Sequence, residues 1–353
     1  MRKIAKLVGM ASLAVLATAP VFAQGNNEDS PFNITLSSFA TEPKDAVGAD
    51  QKPCAGDLAC QTSCCDPVIG LDVFGGVDAF RGVSDLARTS NFGAVAGINA
   101  GMLLPGSAGE HGFGWQLGTS VGDYDLDGKG LADANSLGQY FVTTGFFRKT
   151  QCDKGWSYGI VYDWMITTNW GVFDQQATMS QWRAQMEYSF SRCDSVGVYG
   201  TLRDMTYVNA PAALIDRSIN QVDLFWDHKF CTGADVRVWV GIPEQDTIAA
   251  FPATGGIGDF IVGMDAEAPL SDRISLYAGW EYMAPSVGAF HNGAALETYD
   301  VSVGLVWHPG RCHCNCGCDS GCNVACPAAS APYLSLGNNS NFLVDQNRNT
   351  LVR

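Results

Sequence analysis

From Phe113 to Val121 the chain alternates without a break. Phe113, Trp115, Leu117, Thr119 and Val121 share one side, and Gly114, Gln116, Gly118 and Ser120 share the other. A strand sends successive side chains to opposite faces, so this segment has one apolar face and one small or polar face. Similar segments recur along most of the chain, separated by turn-rich stretches and with little helical periodicity between them. The alternation predicts strands at 68–80, 92–104, 112–122, 138–148, 156–166, 180–191, 195–203, 219–229, 234–242, 257–267, 273–282 and 297–307. Most have the roughly 9–11 residues that a tilted strand needs to cross a bilayer. The expected fold is all-β: a transmembrane antiparallel up-and-down β-barrel of about 12 strands with irregular Cys-rich N- and C-terminal extensions.

The connections support this topology. Tight turns fall near Pro105, Cys152, Cys193, Cys231, Ser271 and Pro309, and longer connections near 81–91, 123–136, 167–179, 204–217, 243–256 and 283–296. Cys152 and Cys193 are 41 positions apart and Cys193 and Cys231 are 38, so one hairpin pair repeats about every forty residues. Outer-membrane barrels join their strands by short periplasmic turns and longer outer loops.

The two faces differ in chemistry. Trp156, Tyr158, Ile160, Tyr162, Trp164 and Ile166 lie on one face of a single segment, and Trp182, Met186, Tyr188 and Phe190 on one face of the next. Opposite them stand Gln181, Arg183, Gln185, Glu187 and Ser189, and on the last segment Asp300, Ser302 and Gly304. A soluble sandwich or propeller also alternates, but its outer face usually carries many lysines and glutamates, whereas this polar face is rich in Gly, Gln and Ser. As the lining of a pore it would include Asp163, Glu187, Asp223, Asp227, Asp235, Asp259, Asp265, Glu267, Glu281 and Asp300, faced mainly by Arg183, Arg203 and Arg237. An acid-rich lining favours cations. The alternative is that the acids and arginines pair and fill the interior, as side chains do in small barrels.

The N-terminus reads as an export signal. Arg2, Lys3 and Lys6 precede an apolar run from Leu7 to Leu16, and Val21 and Ala23 offer small residues at a cleavage site before Gln24. Losing the three basic residues takes the formal charge from −15 to −18. So acidic a chain disfavours nucleic-acid partners. The expected organisation is a signal peptide over 1–23, a Cys-containing periplasmic extension or plug over 24–67, the barrel over 68–308 and a Cys-rich polar tail over 309–353.

The thirteen cysteines cluster at one end of this topology. Cys54, Cys60, Cys64 and Cys65 precede the first strand. Cys152, Cys193 and Cys231 occupy successive short turns. Cys312, Cys314, Cys316, Cys318, Cys322 and Cys326 follow the last strand. Export favours disulfides, so all are disulfide candidates, on the periplasmic side if the topology holds. An odd count leaves a free thiol or a bond to another chain, which makes envelope proteins possible partners. The tail spacing matches no standard zinc site, and no metal or cofactor is expected. Asp123, Asp125, Asp127 and Gly128 resemble the start of a calcium loop, but Ala134 stands where the closing Glu would be. The five histidines, His111, His228, His291, His308 and His313, assemble no evident catalytic set, and H-E-x-x-H does not occur. No enzyme is expected.

The stretches GVDAFRGVSDL, NFGAVAGINAG, FVTTGFFRKT and YGIVYDWM resemble uncharacterised exported barrel proteins of planctomycete-type bacteria, over residues 66–310. The resemblance implies an outer-membrane location. The cysteine usage is similar in spirit to the chlamydial major outer-membrane porin. Many such barrels end on an aromatic residue; this chain ends at Arg353, although its last strand closes with Trp307. The expected function is passive passage of small polar or cationic solutes through a barrel in contact with outer-membrane lipid, with homo-oligomers possible. The alternative is a non-conducting structural envelope protein, cross-linked by periplasmic disulfides.

Overall fold

The computed structural model describes residues 69–81, 91–124, 137–150, 154–168, 176–191, 193–209, 214–230, 233–245, 258–271, 273–284, 298–309 and 344–346. The signal peptide, residues 24–67, the cysteines other than Cys193, and the proposed calcium loop beyond Tyr124 lie outside them.

Twelve strands form the ring. They are β1 (Ile69–Arg81), β2 (Asn91–Leu103), β3 (Phe113–Tyr124), β4 (Leu137–Arg148), β5 (Gly155–Thr168), β6 (Thr178–Ser189) and β7 (Asp194–Asn209), then β9 (Gln221–Lys229), β10 (Asp235–Pro243), β11 (Phe260–Pro269), β12 (Ile274–Ala284) and β13 (Thr298–Trp307). Two short strands, β8 (Leu214–Ser218) and β14 (Val344–Gln346), lie outside the ring. Each ring strand pairs antiparallel with the next, and β1 closes the sheet by pairing with β13 from Val73↔Trp307 to Arg81↔Tyr299. Closure removes the exposed edges that an open sheet would present.

The segments predicted from alternation coincide with the twelve ring strands to within a few residues. Two details differ. The turn near Pro105 contains a one-turn helix, α1 (Ser107–Glu110), flanked by Gly106 at φ 73° and Gly112 at φ 81°. A side chain at Gly112 would also meet the Lys149 carbonyl oxygen at 2.0 Å. Second, β7 runs beyond the ring to Asn209. Its end pairs with β8, and β14 covers the other edge of β8 through Val344↔Ser218 and Gln346↔Asp216. This extension stands at the long-connection mouth. Residues 344–346 thus form a short strand within the C-terminal extension expected to be irregular, because the other edge of β8 offers them backbone partners.

The faces follow strand parity. Outside, Phe146, Leu202, Leu224 and Ile242 are each at least 60% exposed, and more than thirty large apolar side chains share that surface. So continuous an apolar surface does not suit water. Aromatic pairs lie on it, including Trp156 with Tyr188 at 5.0 Å and His228 with Phe230 at 4.6 Å. No helix among the described residues is long and apolar enough to cross a membrane. Inside, Gln116, Thr143, Asp163, Gln181, Arg183, Asp223 and Glu281 are buried. Polar groups inside and apolar groups outside reverse the order of a water-soluble core.

Candidate functional site

The site is the inner wall of the ring, whose glycines let long side chains lie flat across neighbouring strands. Trp239 lies over Gly263, where a Cβ would meet its ring at 2.2 Å. Asp223 leans over Gly241, its Oδ1 1.8 Å from the position of a Cβ. The interior is thereby filled sideways along the wall.

Two arginines organise one half. Arg183 on β6 forms a two-pronged pair with Asp163 on β5, through Nε to Oδ2 and through Nη2 to Oδ1 at 2.9 Å. Thr143 Oγ1 donates to Asp163 Oδ1 at 2.5 Å, and Gln181 Nε2 donates to Oδ2 at 3.4 Å. Every member of this group is buried. Parallel N–H bonds from a guanidinium to a carboxylate are strong and directional. Arg237 on β10 donates to Asp227 Oδ2 on β9 at 2.9 Å and packs 4.4 Å from the Phe225 ring centroid. It also reaches across β9 and β7 to Gln185 Oε1 at 3.3 Å and Glu187 Oε2 at 3.5 Å on β6. Toward the long-connection mouth Arg203 pairs with Glu244 at 2.7 Å, and Asn220 Nδ2 donates to the same carboxylate at 2.8 Å.

The other half is acidic and aromatic. Asp78 on β1, Asp265 on β11, Glu281 on β12 and Asp300 on β13 face inward with Tyr124, Tyr277 and Trp239. Tyr124 donates to Asp78 Oδ2 at 2.7 Å. Glu281 and Asp300 are direct cross-strand partners, so their Cβ atoms are about 5 Å apart. Among the described residues, no Lys or Arg lies on the inward face of β11, β12, β13, β1, β2 or β3.

A third group sits at the short-turn mouth. His308 Nδ1 faces Asp72 Oδ1 at 2.5 Å, while Nε2 lies 3.0 Å from both Ser275 Oγ and Glu267 Oε1. Ser, His and Asp in this order resemble a hydrolytic triad. The second carboxylate changes the chemistry. Glu267 shares Nε2 with Ser275 at the same distance, so the geometry does not single out the serine as the partner of the ring. Ser275 is 1% exposed and His308 2%, which further suits a clamp tying β1, β11, β12 and the end of β13.

The alternation placed Asp163, Arg183, Glu187, Arg203, Asp223, Asp227, Asp235, Arg237, Asp265, Glu267, Glu281 and Asp300 on one face, and the structure places all of them on the inner side. Asp259 differs: it precedes β11 and is exposed, its N–H donating to the Ala284 carbonyl at 3.0 Å. In the sequence Asp72, Asp78 and Ser275 pass unmarked, and His308 is named only among histidines without a catalytic set. Asp72, Phe74, Gly76 and Asp78 share one parity in β1, which could have revealed the two acids. Cys193 sits in the short turn before β7, where its N–H donates to Ser191 Oγ at 3.1 Å.

A family described as a family of unknown function (DUF6666) matches residues 70–344. No curated protein is a significant match. Among solved structures the chain is similar to the NanC porin, at 11% identity and a TM-score of 0.38, covering 67% of this chain and 98% of that one. It is similar to a mutant of the TodX monoaromatic hydrocarbon channel at 9% identity, with a TM-score of 0.41 and coverage of 70% and 90%. It is also similar to the outer membrane phospholipase of Salmonella typhi at 9% identity, with a TM-score of 0.39 and coverage of 68% and 90%. At such identities and scores these likenesses assign no activity.

Proposed function

The chain thus belongs to DUF6666, a family of unknown function, and we propose that it is a porin-like outer-membrane barrel through which small polar solutes, cations above all, pass passively. The observation that carries this reading is the charge of the inner wall: β1, β11, β12 and β13 carry Asp78, Asp265, Glu281 and Asp300 and, among the described residues, no inward Lys or Arg of their own, while Arg237 on β10 stands opposite Asp265 alone. A row of fixed negative charge raises the local cation concentration and repels anions. The apolar outer surface supports a location in lipid, and the sequence supports export through residues 1–23. The test is the reversal potential of the mature chain in a planar bilayer under a tenfold potassium chloride gradient. Cation preference moves it toward the roughly 59 mV limit for a monovalent ion. A potential of zero or of the opposite sign refutes the reading.

One observation favours a second reading, a non-conducting envelope protein. Thr143, Asp223 and Glu281 are at most 2% exposed, as expected of a filled interior. In that reading the cysteines outside the described residues cross-link the base to neighbouring proteins. A folded barrel without conductance, together with a reducible high-mass ladder, supports it.

A further inference from the structure

The inward face is polar through most of the ring and apolar at its long-connection end. Phe80, Met165 and Met283 are the next inward positions after Asp78, Asp163 and Glu281. Phe141, Met165 and Met179 are direct cross-strand partners on β4, β5 and β6. Tyr124 and Ala177 belong to the same buried cluster, and the Phe80 ring lies 4.8 Å from that of Tyr124. On another arc Ile261 and Met283 are direct partners on β11 and β12, buried with Ile219. An apolar constriction sheds water and so stops hydrated ions.

The end of β7 reaches this layer. Its ladder to β9 stops at Thr201 and its ladder to β6 at Met205, so Thr206–Asn209 and their β8 partners lie outside the ladders of the ring. Tyr207, in this part, packs against the cluster of Tyr124, Phe141, Met165 and Met179. One carboxylate just beyond β10 holds the root of the β7–β8 pair. Glu244 Oε1 lies 2.7 Å from Arg203 Nη1 on β7 and 3.8 Å from Arg217 Nη2 on β8, and Asn220 donates to Oε2 at 2.8 Å. Arg203 also donates to the Ser218 carbonyl at 3.2 Å.

We propose that the β7–β8 pair is a gate. Latched by Glu244, it seats Tyr207 on the apolar layer and closes the passage at the long-connection mouth; unlatched, it lets the layer open and wet. The ring ladders stay intact in both positions, because none of them includes residues 206–209 or 214–217. The proposal rests on the reading of the barrel as a passage and adds its regulation.

The test is single-channel recording of the mature chain, refolded in detergent under oxidising conditions and placed in planar bilayers in potassium chloride. Glu244→Gln should raise the ratio of open to closed time about tenfold, as loss of charge-assisted hydrogen bonds implies. Tyr207→Ser should raise it in the same direction. Glu110→Gln, at an exposed acid of α1 by the other mouth, should leave it unchanged. Heat-modifiable migration on gels establishes that each variant is folded, and Arg217→Gln is read in place of a Glu244 variant that is not. A silent native barrel that conducts once Tyr207 is replaced supports the gate. A conducting barrel whose ratio is unchanged in both folded variants overturns the gate and keeps the passage. Anion preference in a barrel that the variants still open removes the cation reading and keeps the gate. No conductance in the native chain or in any folded variant overturns both.

Discussion

Substituting Arg183 by Met should destabilise the barrel by about 3–5 kcal/mol. Arg183 and Asp163 are each 3% exposed, so neither charge can recover its solvation in water. Without the guanidinium, Asp163 keeps only the Thr143 hydroxyl and the long contact from Gln181. The cost is that of a buried charge stripped of its partner. Replacing both members, as Asp163→Leu with Arg183→Met, should restore most of the stability, because apolar groups of similar volume leave no charge behind. The two changes are therefore strongly non-additive. Urea unfolding in lipid vesicles, followed by tryptophan emission and by heat-modifiable gel migration, measures each corner of the cycle. An Arg183→Met loss below about 1 kcal/mol, or a double variant no more stable than the single one, would refute the account of this pair as a buried, mutually dependent unit.

The same assay tests other parts of the wall. Leu224→Arg, at a site 63% exposed on the outer face, should cost up to about 2–4 kcal/mol in a bilayer, depending on depth; no loss would count against lipid contact there. Gly263→Val drives a side chain into the Trp239 ring, 2.2 Å from its Cβ position. A loss of about 1–3 kcal/mol with a shifted indole emission is expected, and unchanged emission would show that Trp239 does not lie there. His308→Ala should cost about 1–3 kcal/mol because it removes the ring that Asp72, Ser275 and Glu267 share. Ser275→Ala should change neither stability by more than about 1 kcal/mol nor turnover of a fluorogenic ester; ester turnover by the native chain, lost in this variant, would establish a hydrolase.

Local chemistry made the strands legible. The pleat has a period of two, so a half-apolar strand announces both its extent and its faces. That is why a segment expected at 92–104 forms at Asn91–Leu103, and why twelve charged positions share the interior. The partnerships were not legible. Asp72 and His308 are 236 positions apart and meet only because the first strand closes on the last. Arg237 meets Gln185 by reaching over two strands, a contact that depends on wall curvature. β8 and β14 escaped notice because neither is long enough to show a period, and their pairing is supplied by a neighbour's unused edge.

The reach of Arg237 divides the ring unequally. A span from β10 to Gln185 and Glu187 on β6 cuts off an arc made of β6, β7, β9 and β10, which is further filled by Asp227 and Phe225 at its base. The span acts as a tie rod between β10 and β6. Under the proposed passage, a solute would keep to the longer arc along β11, β12, β13 and β1, past Glu281, and cutting the rod would remove that confinement.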